Sequence, residues 1–165
     1  MLPSNVQKKI LYRPSSRKSI EGMERIKELK SIGYDDDYIK DAIISNEDAH
    51  NILIKLGIKN NTSIYQYYLN WCDEPISFRS EDLYGLCEIL EAHKNQFWEE
   101  YPQIGKRYLQ MSSIEGEWSY FYDKETDAMY GVGWNEMDDF VAGKLKPLFT
   151  SFYDFLEWYY SEDEE

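Results

Sequence analysis

Histidine, cysteine and long apolar runs are what this 165-residue chain has little of, and each shortage removes a class of function. Two cysteines, Cys72 and Cys87, are too few for a disulfide framework or a zinc site; both sit among apolar neighbours and read as small buried thiols. His50 and His93 fall on separate expected helices, with no HExxH and no cysteine at ligand spacing. No apolar run approaches the ~20 residues that cross a bilayer. The opening MLPSNVQKKI carries no apolar core after its lysines, so it does not read as a secretory signal. The cytoplasm is the expected location, with no membrane partner.

Motif chemistry is equally thin. There is no GxSxG elbow around any serine. Gly131-Val132-Gly133 imitates the start of a dinucleotide loop, but Trp134, Asn135 and Glu136 follow where a third glycine and a helix start are required. The turn DKETDA resembles the opening of a calcium loop. Ala128 replaces its bend-forming glycine and Trp134 stands where the bidentate glutamate belongs, so an ordinary hairpin turn is the expectation. No catalytic residue, cofactor or metal is expected.

What is abundant is aromatic and acidic. Apolar residues make up 42% of the chain, enough for one globular domain with a core of its own. The 16% aromatic share comes mostly from 15 Tyr, which bury a ring and keep a hydroxyl wet. Charge is uneven: residues 1–30 hold eight basic side chains against three acids, and the remainder holds ten against 28, a net of −18. Such a body repels phosphate backbones, which argues against a nucleic-acid partner, and draws cationic proteins. Its acidic clusters read most simply as solvated faces. The sharper reading makes Asp35, Asp36, Asp37, Glu99, Glu100, Asp138 and Asp139 a docking surface for a basic protein, with exposed Tyr and Trp as anchors.

Residues 1–18, with Pro3, Pro14 and five basic side chains, read as a flexible basic arm. A helical extension is expected over 19–50, inside a single domain spanning 19–160, and 161–165 form an acidic tail. Ser19 caps a helix carrying Ile20, Met23, Ile26 and Leu29 on one expected face. Asp35-Asp36-Asp37 opens the next helix, with Ile39, Ile43 and Ile44 as its apolar positions. Ala49, Ile52, Leu53 and Leu56 define another that stops at Gly57. Thr62 caps a fourth through Ile64, Tyr68 and Trp71, broken at Asp73 to Pro75. Leu83 to Leu86 suggest a short strand, Ile89, Leu90, Phe97 and Trp98 a helix, and Tyr108 to Met111 another strand.

The last third carries the firmest pattern. Trp118, Tyr120 and Tyr122 alternate with Glu117, Ser119 and Phe121, and Ala128, Tyr130, Val132 and Trp134 with Met129, Gly131 and Gly133. The polar, exposed turn Asp123 to Asp127 joins the two strands. Gly131 and Gly133 on one face imply that a helix or ring packs close against them. Ser151 then caps a helix with Phe152, Phe155, Leu156 and Tyr159 at i, i+3, i+4 and i+7.

From Ile52 to Tyr160 the order of these pieces resembles the SUKH superfamily: Leu56-Gly57-Ile58, the aromatic IYQYYLNW helix, DLYGL from Asp82 to Leu86, the hairpin Phe121 to Val132 with its D-x-x-T-D turn, and SFYDFLEWYY from Ser151 to Tyr160. Asp73-Glu74-Pro75 stands where that pattern has an Asn-Gly turn, and the first sixty residues lie outside it. The resemblance implies an α+β fold, a twisted, mostly antiparallel sheet with packed helices, and a non-enzymatic role. Bacterial members are mostly immunity proteins that bind and neutralise cognate toxins, often nucleases. The partner so implied is a basic toxin domain. The alternatives are a non-catalytic interaction scaffold of the same superfamily and a small hydrolase pairing His50 or His93 with a carboxylate.

Overall fold

The computed structural model describes residues 2–9, 13, 18–42, 44–70, 83–94, 100–113 and 116–161. Cys72, Trp71, the break at Asp73 to Pro75, Asp82, Phe97, Trp98, Glu99, Ile43 and the tail Glu162 to Glu165 lie outside the described residues. The class is α+β. Helices α1 (Ser4–Lys9), α2 (Ile20–Ser31), α3 (Asp36–Ala42), α4 (Asn46–Lys55), α5 (Ser63–Asn70), α6 (Leu86–Lys94) and α7 (Gln103–Lys106) precede the sheet. Strands β1 (Tyr108–Gln110), β2 (Trp118–Asp123) and β3 (Met129–Gly133) form it, and α8 (Met137–Val141) and α9 (Phe152–Tyr159) close the chain.

The sheet is antiparallel in the order β1-β2-β3, with Tyr120 opposite Gly131 and Leu109 opposite Tyr122. Strand residues alternate between faces, and here both faces are covered. One carries Leu109, Tyr120, Tyr122 and Met129 into the main core, against the apolar stripe of α9 and residues of α4, α5 and α6. Phe155 meets Tyr120 edge-on at 5.2 Å, and Phe152 meets Tyr122 at 5.7 Å. The other face sends Tyr108, Phe121 and Val132 against Met137 and Phe140 of α8 and Ile104 of α7. Ser119, on that second face, is buried as well; its hydroxyl lies 2.8 Å from that of Ser112, which in turn accepts from the Tyr120 N–H.

Local signals set most boundaries. Ser19, Ser45 and Ser151 accept from the backbone N–H three residues on, at 3.0–3.1 Å, and so cap α2, α4 and α9. Gly57 takes φ +77° just past α4, a conformation glycine adopts without a Cβ clash. Ala49, Leu53 and Leu56 of the α4 segment are buried in the main core, so α4 straddles residue 50 and belongs to the body.

Several expectations differ from the structure. The flexible arm does not describe residues 2–9 and 13: Leu2 and Val6 are buried against the body, and Asn5 donates to the Glu157 carbonyl of α9 at 3.0 Å. Arg13 is buried too, its guanidinium donating to the Tyr68 carbonyl at 2.6 Å and its N–H to that of Asn70 at 2.8 Å. A cation on the last carbonyls of α5 suits the negative helix end. Secondly, Leu83 to Gly85 are not a strand; only the Tyr84 N–H reaches the Met111 carbonyl, and α6 begins at Leu86. Thirdly, Ile20 and Met23 of α2 are exposed while Leu29 is buried with Ile39 in a small satellite cluster. Successive i+3 steps drift by roughly 60° around a helix, so Ile20 and Leu29 point to opposite sides.

The turn departs from its expected exposure at its first residue. Asp123 is fully buried, and its carboxylate accepts from Arg107 Nε at 3.0 Å and Nη2 at 2.9 Å, from the Glu125 N–H at 2.9 Å and from the Thr126 hydroxyl at 2.8 Å. Burial by itself would push this carboxyl up; the Arg107 guanidinium, the Glu125 N–H and the Thr126 hydroxyl outweigh it and hold the carboxyl below its usual range.

Two stability tests follow from this packing. In urea denaturation, Phe155→Ala lowers the unfolding free energy by about 3–5 kcal/mol, whereas Met23→Ala changes it by less than about 0.5 kcal/mol. A large loss at Met23 would mean that α2 is packed on that side. Asp123→Asn, which leaves Arg107, a third exposed, with only Glu125 as its ion-pair partner, costs about 2–4 kcal/mol, below the usual loss for a fully buried pair. Because the folded carboxyl is depressed, its contribution is complete above the unfolded value of about 3.9 and is lost as the pH falls through the lower folded value. Wild type should therefore lose more stability across that acid window than the Asn variant; parallel acid curves would refute the assignment.

Candidate functional site

The exposed rim of the hairpin forms a groove of about 640 Å³. Its floor is β3 at Gly131 and Gly133, and its walls are Trp118, Trp134 and Leu148, with Glu117 and Glu136 at the margin. Glycine keeps the floor low: a Cβ on Gly131 would come 2.9 Å from Leu148 Cδ1 and 3.4 Å from the Trp118 ring, so a side chain there would push the end of Leu148 aside. The expectation that something packs close to these glycines is met, by a ring and a leucine rather than by a helix.

Each wall is held by backbone. The Leu148 and Phe149 N–H groups both donate to the Met129 carbonyl, at 2.8 and 3.2 Å, which lays the segment before α9 along the outer edge of β3. Trp134 Nε1 donates to the Gly116 carbonyl at 2.6 Å and its main-chain N–H to that of Glu117 at 3.2 Å. The Glu136 carboxylate accepts from the Gly133 N–H at 3.0 Å, closing a short 3₁₀ turn over Trp134–Glu136. Leu148 is 52% exposed and Trp134 36%, so apolar surface remains open to a ligand. Among the described residues no lysine or arginine lines the groove.

The acidic residues singled out from the sequence separate into two places. Asp35, Asp36 and Asp37 lie exposed at the α2–α3 junction. There Asp35 caps α3 through the Tyr38 N–H at 2.9 Å, and Asp36 lies 3.6 Å from Lys30. Glu100 and Asp138 meet around Tyr101: its phenol is held above its usual range, first by a hydrogen bond to Asp138, then by burial and by the negative charges of Asp138 and Glu100. Asp139 is exposed beside Asp138 on α8.

The histidines meet other partners than carboxylates. His50 Nδ1 lies 2.6 Å from the Tyr65 hydroxyl. His93 is held below its usual range by burial and by the Lys124 ammonium. Lys124 is itself lowered by burial, and it donates to the Leu56 carbonyl at the end of α4 at 3.0 Å. Cys87 is half-buried against the main core, short of the full burial expected. Among the described residues no cluster of His, Cys, Asp or Glu has metal-site geometry, and no helix is long and apolar enough to cross a membrane.

Sequence reasoning missed the groove as a site. Its one signal was the glycine pair on an aromatic strand; Leu148 and the glutamates gave none, since only folding brings them to that edge. No family model, curated protein or solved structure matches the chain.

The His93 environment is open to measurement. By NMR its imidazole should titrate below 6.5, and Lys124→Met should move the midpoint up, though not fully to that value, because burial is the larger cause. A folded base held neutral weakens the fold as the pH drops from about 6.5 through its folded midpoint, so His93→Gln should flatten that loss. A midpoint at or above 6.5 would contradict the burial assigned to it.

Proposed function

We propose that this chain is a non-catalytic binding protein that covers a basic protein partner, as an immunity protein covers and neutralises its cognate toxin in the cytoplasm. The observation that carries this reading is the tryptophan-walled, glutamate-rimmed groove, set on a body whose residues 31–165 carry a net charge of −18. Exposed indoles supply apolar contact area at low ordering cost, and acids around them steer a cationic partner and select it. A toxin that handles nucleic acid must present cations to phosphate, so an acidic cover competes for the same surface. The resemblance of the hairpin and the SFYDFL helix to the SUKH pattern points the same way.

Within this reading the D-x-x-T-D turn is a structural device. Asp123 and Thr126 lock the turn, and Asp127 accepts from the Tyr122 hydroxyl at 2.7 Å and from the Phe152 N–H at 3.3 Å.

The test is co-expression with the toxin domain encoded immediately upstream. Protection of the host and recovery of a complex that weakens steeply between 0.05 and 0.5 M salt (about one Debye length of 14 Å falling to 4 Å) are expected. Absence of both protection and a complex would refute the reading.

A further inference from the structure

The groove has a chemistry narrower than "acidic surface". Its two indoles and Leu148 offer apolar walls, Glu136 holds a carboxylate over the Gly133 N–H, and Glu117 also lines the groove, with no lysine or arginine among the described lining residues. An anionic ligand would be repelled there. A purely apolar one would strip water from the carboxylates with no compensating charge. A long cationic side chain satisfies both halves: its methylene stem lies on apolar surface while its head meets carboxylate, and a guanidinium also stacks on an indole face.

The sheet edge adds a second element. The Asp123 N–H reaches the Ala128 carbonyl and the Trp134 N–H reaches the Glu117 carbonyl. In an antiparallel ladder hydrogen-bonded pairs alternate, so Ala128, Tyr130, Val132 and Trp134 face β2 while Met129, Gly131 and Gly133 face outward. Met129 is taken up by Leu148 and Phe149, and Gly133 by Glu136. The Gly131 N–H and carbonyl are left on the floor of the groove, placed to bond the main chain of an incoming extended segment.

We propose that this groove seats one arginine side chain, carried on an extended segment of the basic partner, with the guanidinium on the Glu136 carboxylate and its stem along Trp118, Trp134 and Leu148. The assignment rests on the reading of the chain as a cover for a basic protein, and names the contact that selects the partner.

The probe is the peptide acetyl-Gly-Gly-Arg-Gly-Gly-amide, with the citrulline peptide, neutral and nearly isosteric, as control. Titrated into the full chain labelled with ¹⁵N, the arginine peptide should shift the indole N–H signals of Trp118 and Trp134 in a saturable way, and the citrulline peptide should bind about five-fold or more weakly. Glu117→Gln with Glu136→Gln, which keeps an acceptor for the Gly133 N–H, should bring the arginine peptide down to the citrulline level. Leu148→Arg, at an exposed position where folding is little affected, should occupy the groove from within and abolish the shifts. Equal binding of both peptides, shifts confined to residues around Tyr101, or binding untouched by these substitutions would overturn the proposal. The two readings fail separately. A toxin complex that forms and is indifferent to the double substitution refutes the groove assignment alone. Specific binding of the arginine peptide, with neither complex nor protection in co-expression, refutes the immunity reading alone.

Discussion

A buried carboxylate at the end of the central strand holds the hairpin to everything around it. Asp123 sits where β2 turns toward β3, out of water, and is stable there because Arg107, the Glu125 N–H and the Thr126 hydroxyl satisfy its oxygens. Arg107 directly precedes β1, so the pair sets the register of the first two strands. The same turn reaches further: the Lys124 N–H meets the Arg107 carbonyl, its ammonium meets the end of α4, and Asp127 meets the start of α9. Asp127 adopts φ +66°, a left-handed conformation that Asp tolerates better than most residues and that aims its carboxylate at Tyr122 and Phe152. Five turn residues thereby fasten a strand, two helices and a hairpin to one another.

With the hairpin fixed, the covering of both sheet faces decides where a partner can bind. The main core occupies one face and α8 the other, which leaves the outer edge of β3 and the ends of the strands. The segment before α9 pairs along that edge only at Met129, because α9 must turn back over the sheet. Beyond Met129 the edge opens, and glycines there keep it low enough for Trp118 and Leu148 to form walls. The groove is thus a by-product of how α9 reaches its packing site. Exposed apolar surface at Ile20 and Met23 on α2 is of another kind: nothing in the structure gives it charge or shape that selects an occupant.

Elements whose signals are local were legible in the sequence. The Ser19 and Ser151 caps, Gly57, the alternation of β2 and β3 and the stripe of α9 all appear where residue chemistry places them. Elements that depend on distant partners were not. The N-terminal segment reads as an arm because its basic residues dominate its composition, yet Leu2, Val6 and Arg13 dock on α9 and α5, which lie far along the chain. Leu83 to Gly85 show strand-like residues, but only Tyr84 finds a ladder partner. On α2, a repeat of three was taken for one of 3.6, and the drift sends half of its apolar residues to solvent.

The sequence by itself determined several helices, the hairpin, the closing helix and an acidic body. These follow from periodicity, caps and charge, which act over a few residues or need no geometry at all. The tertiary structure alone decided that Asp123 is buried, that Glu100 and Asp138 share Tyr101 while Asp35 to Asp37 stand apart, and that Trp118, Trp134 and Leu148 enclose a groove with two glutamates. Each of those is a meeting of side chains from separate segments, and such meetings are set by how helices and strands pack, a property that no single stretch of chain contains.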